Sequence, residues 1–282
     1  MKKILLTGRD GQVGWELQKA LAPLGKIFAY DRNGLDLQNA DQIRSVIRDV
    51  RPHVIVNAAA YTAVDKAETD TETAHEVNAK APGIMAEEAK ALNALLVHYS
   101  TDYVFDGMAI APYSENAPTS PWNVYGKTKL DGERAIQSLN PLHLILRTSW
   151  VYGMRGKNFL LTMLRLGKEK DLLRIVGDQL GAPTWSRLIA ETTASMLNKQ
   201  EIDFGVYHLT SAGQTSWCGF AEAIFKHYGG KIPQLQEITT ADYPTPAQRP
   251  KYSVLSNAKL LKNFQLALPD WEEALKMCLA QH

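Results

Sequence analysis

The chain predicts an α/β fold built on a doubly wound parallel sheet, with a smaller α/β lobe towards the C-terminus. Three observations carry that prediction. Short apolar runs alternate with amphipathic stretches through the first half, the pattern of parallel strands covered by helices. A glycine-rich turn, Gly8-Arg9-Asp10-Gly11-Gln12-Val13-Gly14, follows the first run and opens a helical pattern. After Trp150 the rhythm loosens into shorter, mixed segments.

Residues 3–7 and 26–30 read as the first two strands. Ile43, Val46, Ile47 and Val50 then recur at helical spacing with charged residues opposite, and Pro52 stops that helix before a third strand at 53–57. Longer helices are expected over 74–92 and 124–139, on either side of a buried-type strand at 95–100, with a fifth strand at 142–148. Beyond these the pattern predicts helices over 158–166, 187–198, 218–228 and 271–279, and short strands near 173–176 and 206–209. The segment from Tyr243 to Pro250 carries three prolines and reads as an ordered loop. The division this suggests is a dinucleotide-binding Rossmann domain over 1–150, to which some later segments return, and a smaller lobe mainly over 151–282.

Composition narrows the function classes. With 45% hydrophobic and 22% charged residues in 282, the chain has enough apolar material for one large domain or a domain plus a lobe. The formal net charge of +1, from 31 basic and 30 acidic side chains, gives no basis for nucleic-acid or membrane-surface binding. Cys218 and Cys278 lack CxxC or metal-ligand spacing and read as reduced, packed thiols. The apolar start at Ile4-Leu5-Leu6 is cut by Thr7-Gly8-Arg9-Asp10, too soon for a secretory core, and no segment has the apolar length of a membrane span. The expectation is a soluble, cytoplasmic protein.

The glycine turn is a phosphate loop by context. Gly8, Asp10, Gly11, Gln12, Val13 and Gly14 lie where backbone amides and a helix N-terminus meet a pyrophosphate. The spacing is G-x-x-G-x-x-G. Asp31, about twenty residues past the loop, suits the adenosine ribose hydroxyls of NADH, whereas the adjacent Arg32 suits the 2′-phosphate of NADPH. Both cofactors stay open. Ala59, Ala60, Tyr61 and Thr62 close the third strand with small side chains first, as a backbone beside a flat ring and ribose requires.

Tyr125 and Lys129 stand four residues apart, so a helix projects both from one face. An ammonium beside a phenol lowers the phenol pKa, which suits a general acid for carbonyl reduction. Thr101 ends the fourth strand at the edge where doubly wound folds bind ligands, and its hydroxyl is placed to hold a substrate carbonyl. Asp102 binds a sugar hydroxyl or caps the following turn; both readings stand.

Together these features resemble the extended short-chain dehydrogenase/reductase superfamily. The resemblance implies a nicotinamide hydride donor, a carbonyl held by Thr101 and Tyr125, and protonation by Tyr125. It further implies contact of Lys129 with the nicotinamide ribose, and of Asp36 and Leu37 with the adenine region. Asn78 matches a proton-relay asparagine of that superfamily but reads first as an ordinary polar helix residue. Longer strings narrow the likeness: 57–68 (NAAAYTAVDKAE), 100–107 (STDYVFDG), 147–153 (RTSWVYG), 177–184 (GDQLGAPT) and Arg249-Pro250 resemble the dTDP-4-dehydrorhamnose reductase family. That likeness spans nearly the whole chain. It implies reduction of the 4-keto group of dTDP-4-dehydro-β-L-rhamnose, a dTDP-sugar, as the last step of dTDP-L-rhamnose synthesis. Trp150 would then wall the sugar or pack in the core, and Arg249 would pair with the diphosphate.

Some members of the family are homodimers bridged by a metal through glutamates. Glu16 matches one such position, but the C-terminal stretch ending at His282 carries no matching acid, so no metal site is expected. His98, His143 and His208 read as structural. Two alternatives follow from the same superfamily. One is a non-catalytic regulatory subunit of the methionine adenosyltransferase type, disfavoured by an intact Thr101, Tyr125 and Lys129. The other is a sugar-nucleotide epimerase or dehydratase; dehydratases place an acid pair after the catalytic hydroxyl, and here Asp102 is followed by Tyr103.

Overall fold

A computed structural model describes residues 1–281. Its centre is a six-stranded sheet in which every neighbouring pair is parallel. The strands are β1 (Lys2–Thr7), β2 (Gly25–Tyr30), β3 (Val54–Asn57), β4 (Leu95–Thr101) and β5 (His143–Thr148), with Gly205–His208 at the far edge. In space the order runs from Gly205–His208 through β5, β4, β3 and β1 to β2. The chain therefore moves outward from β1 to β2, then reverses to place β3 on the other side. A crevice opens at such a reversal, outside the carboxyl ends of the strands.

The strands are buried on both faces, and alternate residues serve opposite layers. Ile4, Leu6, Val56, Val97 and Leu146 pack with Ile189, Phe220, Ile224 and Leu275 from the C-terminal half. Leu5, Ile55, Leu96 and Ile145 face the other way, against Ile43, Ile47, Met85 and Ala89. One continuous core thus runs from the first strand to the last helix, which is why no linker separates the halves.

Helix α1 (Gln12–Ala20) follows the glycine turn, and α2 (Ala40–Val50) ends on Arg51 in the left-handed conformation, φ 49. Pro52 disfavours helical geometry at the residue before it, so the stop falls where expected. The expected helix over 74–92 is one element with a defect. Between Thr71–His75 and Ala81–Ala91 lies a π-helical turn, Glu76–Lys80. Pro82 explains it: proline has no N–H for the Asn78 carbonyl four residues back, so the ladder widens there.

The helix of Val124–Leu139 and the terminal helix Trp271–Leu279 match their expected bounds. Phe159–Glu169, Ser186–Leu197 and Trp217–Tyr228 fall within three residues of theirs. The segment 206–209 joins the main sheet: Gly205–His208 pairs with β5, opposite Leu144–Arg147. The longest elements that went unpredicted are the strand Gln234–Ile238, which lies parallel to Leu172–Val176, and the helix Ala258–Phe264; the short helix Val64–Ala67 and several two-residue strands were also not expected.

Candidate active site

A cavity of about 540 Å³ lies at the carboxyl ends of β1, β3 and β4. Its walls include all the expected cofactor-loop residues except Gly14, together with Asp31, Arg32, Asp36, Leu37, residues 59–62, Tyr125 and Lys129. A larger cleft of about 810 Å³ between Met154, Leu164, His227 and Lys276 contains none of them.

The floor of the cavity is the glycine turn. Gly8 sits at φ +71, and a Cβ there would come within 2.8 Å of the Ala59 nitrogen, so only glycine lets β1 and β3 approach this closely. Gly11 precedes α1 in extended geometry and supplies no side-chain cap, which leaves the first amides of the helix available to an anion. Gln12 ties this loop to the C-terminal half, donating to the Val151 carbonyl at 3.4 Å and accepting from Asn158 at 2.8 Å. A dinucleotide's pyrophosphate fits this turn: backbone donors, a helix N-terminus and no side chain in the way.

At one end of the cavity the groups are charged and exposed. Asp31 accepts from the Arg9 guanidinium at 3.2 Å and from the Gly34 amide at 2.8 Å. Arg32 donates instead to Gln38 at 3.0 Å. Arg9 was not singled out in the sequence, although it stands inside the glycine turn.

At the other end Thr101, Asp102 and Lys129 are buried and Tyr125 is partly so. Asn123 caps the helix carrying Tyr125, accepting from the Gly126 amide at 2.8 Å, and Glu68 accepts from the Val124 amide at 2.8 Å. Gly126 lets this helix lie directly on the next segment, since a Cβ would reach within 2.2 Å of the Tyr103 carbonyl. Tyr125 meets Tyr103 edge to face, with centroids 5.7 Å apart, and its phenol lies near the Thr101 hydroxyl. Thr101 in turn donates to Asp102 Oδ1 at 3.0 Å. Of the expected trio, Tyr125 and Lys129 line one end of the cavity, while Thr101, beside Tyr125, is buried outside the lining, as is Asp102.

The charge states differ from the expectation. Burial pushes the Tyr125 phenol up to about 12 rather than down, and the nearby Thr101 hydroxyl only partly opposes this. Lys129, which is 1% exposed, spends its Nζ on the Tyr99 carbonyl at 2.6 Å and on His98 Nε2 at 3.0 Å. Burial lowers that ammonium to about 8. Asp102 is lifted to about 6, again chiefly by burial, and its Oδ2 has no hydrogen-bond partner among the described residues.

Other expected groups are engaged elsewhere. Arg249 forms a two-pronged pair with Asp65 at 2.8 and 3.0 Å. Trp150, in the left-handed conformation at φ 47, stacks face to face on Trp217 with centroids 3.5 Å apart. Neither lines the cavity. The Asn78 side chain bonds to both backbone groups of Tyr61 and to Thr128, and so fixes the wall at Tyr61 rather than touching Lys129. Glu16 pairs with Arg187 at 3.2 Å, and no cluster of three metal-ligating side chains occurs among the described residues. Tyr99, Ser100, Thr148, Val151 and Lys157 also line the cavity without having been anticipated.

Comparison with known proteins places this geometry. A family model described as the RmlD substrate binding domain matches residues 1–282. The dTDP-4-dehydrorhamnose reductase of Burkholderia thailandensis is 48% identical to the chain, over 98% of each protein. That of Escherichia coli K12 is 46% identical over 98% of this chain and 96% of its own length. The chain belongs to the dTDP-4-dehydrorhamnose reductase family. A crystal structure of the Bacillus anthracis dTDP-4-dehydrorhamnose reductase in complex with NADP superposes on it with a TM-score of 0.95, at 36% identity, covering 100% of this chain and 99% of the other. The family assignment thus rests on matches along the full length, through the glycine turn, the Tyr125 helix and the C-terminal segments alike.

Proposed function

We propose that the chain reduces the 4-keto group of dTDP-4-dehydro-β-L-rhamnose to give dTDP-β-L-rhamnose, using NADPH or NADH. The observation that carries the reading is the placing of Tyr125 and Lys129 at one end of a cavity floored by a phosphate-binding turn, with Thr101 beside Tyr125, in a chain of this family.

In this reading Gly8, Asp10, Gly11, Gln12, Val13 and Gly14 hold the pyrophosphate, while Asp31, Arg32, Asp36 and Leu37 receive the adenosine end. Residues 59–62 support the flat ring and ribose. The reduced nicotinamide supplies the hydride when bound. Thr101 and Tyr125 hold the substrate carbonyl oxygen. Tyr125, kept as a phenol by burial, has a proton to give to that oxygen as negative charge develops on it. Asp102 and Trp150 are assigned to the sugar, and Arg249 to the diphosphate. Residues 1–150, with the returning strand, serve the dinucleotide, and 151–282 serve mainly the sugar nucleotide. Among the described residues no helix is long and apolar enough to cross a membrane. We extend the proposal to a cytoplasmic homodimer, which sedimentation of the purified protein would test.

The decisive experiment supplies NADPH with and without dTDP-4-dehydro-L-rhamnose, generated in situ by the epimerisation that precedes it. Cofactor should be consumed only with the full substrate. A bare 4-keto sugar should turn over poorly, because binding energy from the remote nucleotide holds the carbonyl over the hydride. Absence of any consumption with the full substrate would leave a binding role as the reading.

A further inference from the structure

The basic side chains that line the cofactor cavity are Arg32, Lys129 and Lys157. The first two are engaged at its opposite ends, Arg32 with Gln38 and Lys129 with the Tyr99 carbonyl and His98. Lys157 differs from both. It comes from the C-terminal half of the chain and is exposed, and its ammonium has no ion-pair or hydrogen-bond partner among the described residues.

The path of the chain brings it there. After the short strand Val151–Tyr152, residues 153–158 run beside the start of α1 before the helix Phe159–Glu169 begins. Asn158 caps that helix, accepting from the Leu161 amide at 3.0 Å. The Asn158 amide nitrogen donates to Gln12 and to the Gly153 carbonyl, each at 2.8 Å. Gln12 reaches back to the Val151 carbonyl at 3.4 Å. Gly156, in the left-handed conformation at φ +80, lies against the same side chain, where a Cβ would stand 3.3 Å from Gln12 Cγ. The Arg155 guanidinium rests over the Trp15 ring of α1, 3.8 Å from its centroid. The residues on both sides of Lys157 are thus held against Gln12, which follows Gly11 and begins α1. That is where the free amides of the helix face an anion.

The glycine turn lacks a cation of its own facing the cavity. A dinucleotide carries a negative charge on each phosphate of its pyrophosphate, and the turn offers backbone donors. Its one charged side chain in the lining is an acid, Asp10, which adds to the negative charge there. Arg9 leans away towards Asp31, and Arg155 is committed to Trp15. We propose that Lys157 is the side-chain cation for the pyrophosphate of the nicotinamide cofactor, supplied to the N-terminal phosphate turn by the C-terminal half. This role presupposes that the cavity takes a nicotinamide dinucleotide, as proposed above. NADH and NADPH share the pyrophosphate and differ at the 2′-phosphate. Lys157 therefore serves both equally, unlike Arg32 at the adenosine end.

Equilibrium titration of the purified protein with NADPH, NADH and ADP-ribose, in the absence of substrate, tests this. Lys157→Met should raise the Kd of all three ligands by a similar factor, about two- to fivefold at low salt because the side chain is exposed. The loss should shrink as salt is added. Lys157→Arg keeps the charge and should retain most of the affinity. A merely structural role for the segment would lower the affinity of Lys157→Arg as much as that of Lys157→Met, and that outcome overturns the proposal. So does an unchanged Kd in Lys157→Met, or a loss confined to NADPH, which would put Lys157 at the 2′-phosphate instead. Failure of the natural protein to bind any of the three ligands would overturn the cofactor reading itself, and the role of Lys157 with it.

Discussion

The two ends of the cofactor cavity are built on opposite electrostatic terms. At the adenosine end, Arg9 and Asp31 form an ion pair whose side chains are 44% and 26% exposed. At the catalytic end, Lys129 and Asp102 are buried to 1% and 2%. Water screens the first pair, and such pairs contribute about 1 kcal/mol or less. At the second end burial and hydrogen bonding set the state of each proton, and Asp102, Tyr125 and Lys129 are all shifted. Binding selectivity is therefore cheap to change at one end, whereas chemistry is concentrated at the other.

The sharpest break of this contrast is Tyr125→Phe. Removing the phenol hydroxyl should lower turnover by about two to four orders of magnitude while NADPH binding stays nearly intact. Near-normal turnover, measured by cofactor consumption, would remove Tyr125 from the mechanism. Lys129→Met should lower kcat by about tenfold to a hundredfold and weaken cofactor binding as well. Equilibrium titration with NADPH separates the two effects.

Asp102 tests the buried end through stability instead of rate. Its carboxyl is raised from an ordinary 3.8 to about 6 in the folded protein. The folded state therefore holds this proton more tightly than the unfolded chain. Stability from this group is complete below about pH 4, falls as pH rises towards 6, and is lost above that. A shift of that size corresponds to about 3 kcal/mol. The Asp102→Asn variant should lack this loss, so its stability relative to the natural protein should improve by up to that amount between pH 4 and pH 8. Parallel denaturant titrations at the two pH values would show it, and a constant difference would mean that Asp102 is not destabilised as a carboxylate.

Arg249 lies between the two regimes. Its guanidinium is half-buried but already neutralised by Asp65, whose carboxyl it holds below the usual range. If it receives the substrate diphosphate, Arg249→Ala should raise KM for the sugar nucleotide about tenfold with little change in kcat. Asp65→Asn should lower that KM or leave it unchanged. A rise of equal size in Asp65→Asn would show that the pair acts as a structural brace.

The sequence was most informative where local rules act alone. The alternation of strands and helices, the glycine turn and the Tyr125–Lys129 spacing all follow from periodicity and backbone geometry, and the six-stranded sheet contains each of the first five strands expected. What it concealed depends on contacts between distant segments. His98 reads as a lone histidine in an apolar strand until β1 and β3 bring Thr7 and Asn57 beside it. Trp150 gave no sign of its partner, because Trp217 lies 67 positions along the chain and stacks on it only after folding. The π-turn did have a local signal, in Pro82 four residues after Asn78. The pKa values were the least legible, since the direction for Tyr125 is decided by burial, which outweighs a favourable neighbour.

The smallest effects should come at the exposed end, and they decide the choice between NADPH and NADH. Asp31 would accept from free ribose hydroxyls, but both of its oxygens are engaged, by Arg9 and by the Gly34 amide. Arg9 and Arg32 meanwhile place two guanidinium groups where a 2′-phosphate would add charge. The acid repels such a phosphate and the arginines attract it, so both cofactors should be used, with a preference below about a hundredfold. Arg32→Ala and Arg9→Ala should each shift the ratio of kcat/KM values towards NADH, by about tenfold or less because water screens the contacts. Arg9→Ala should also release Asp31 for the ribose hydroxyls, so its gain should appear partly as tighter NADH binding, whereas that of Arg32→Ala should be a loss confined to NADPH. Asp31→Asn should move the ratio the other way, and raising the salt concentration should compress all three differences. A ratio that none of these changes would mean that the adenosine ribose does not lie between Arg9 and Arg32.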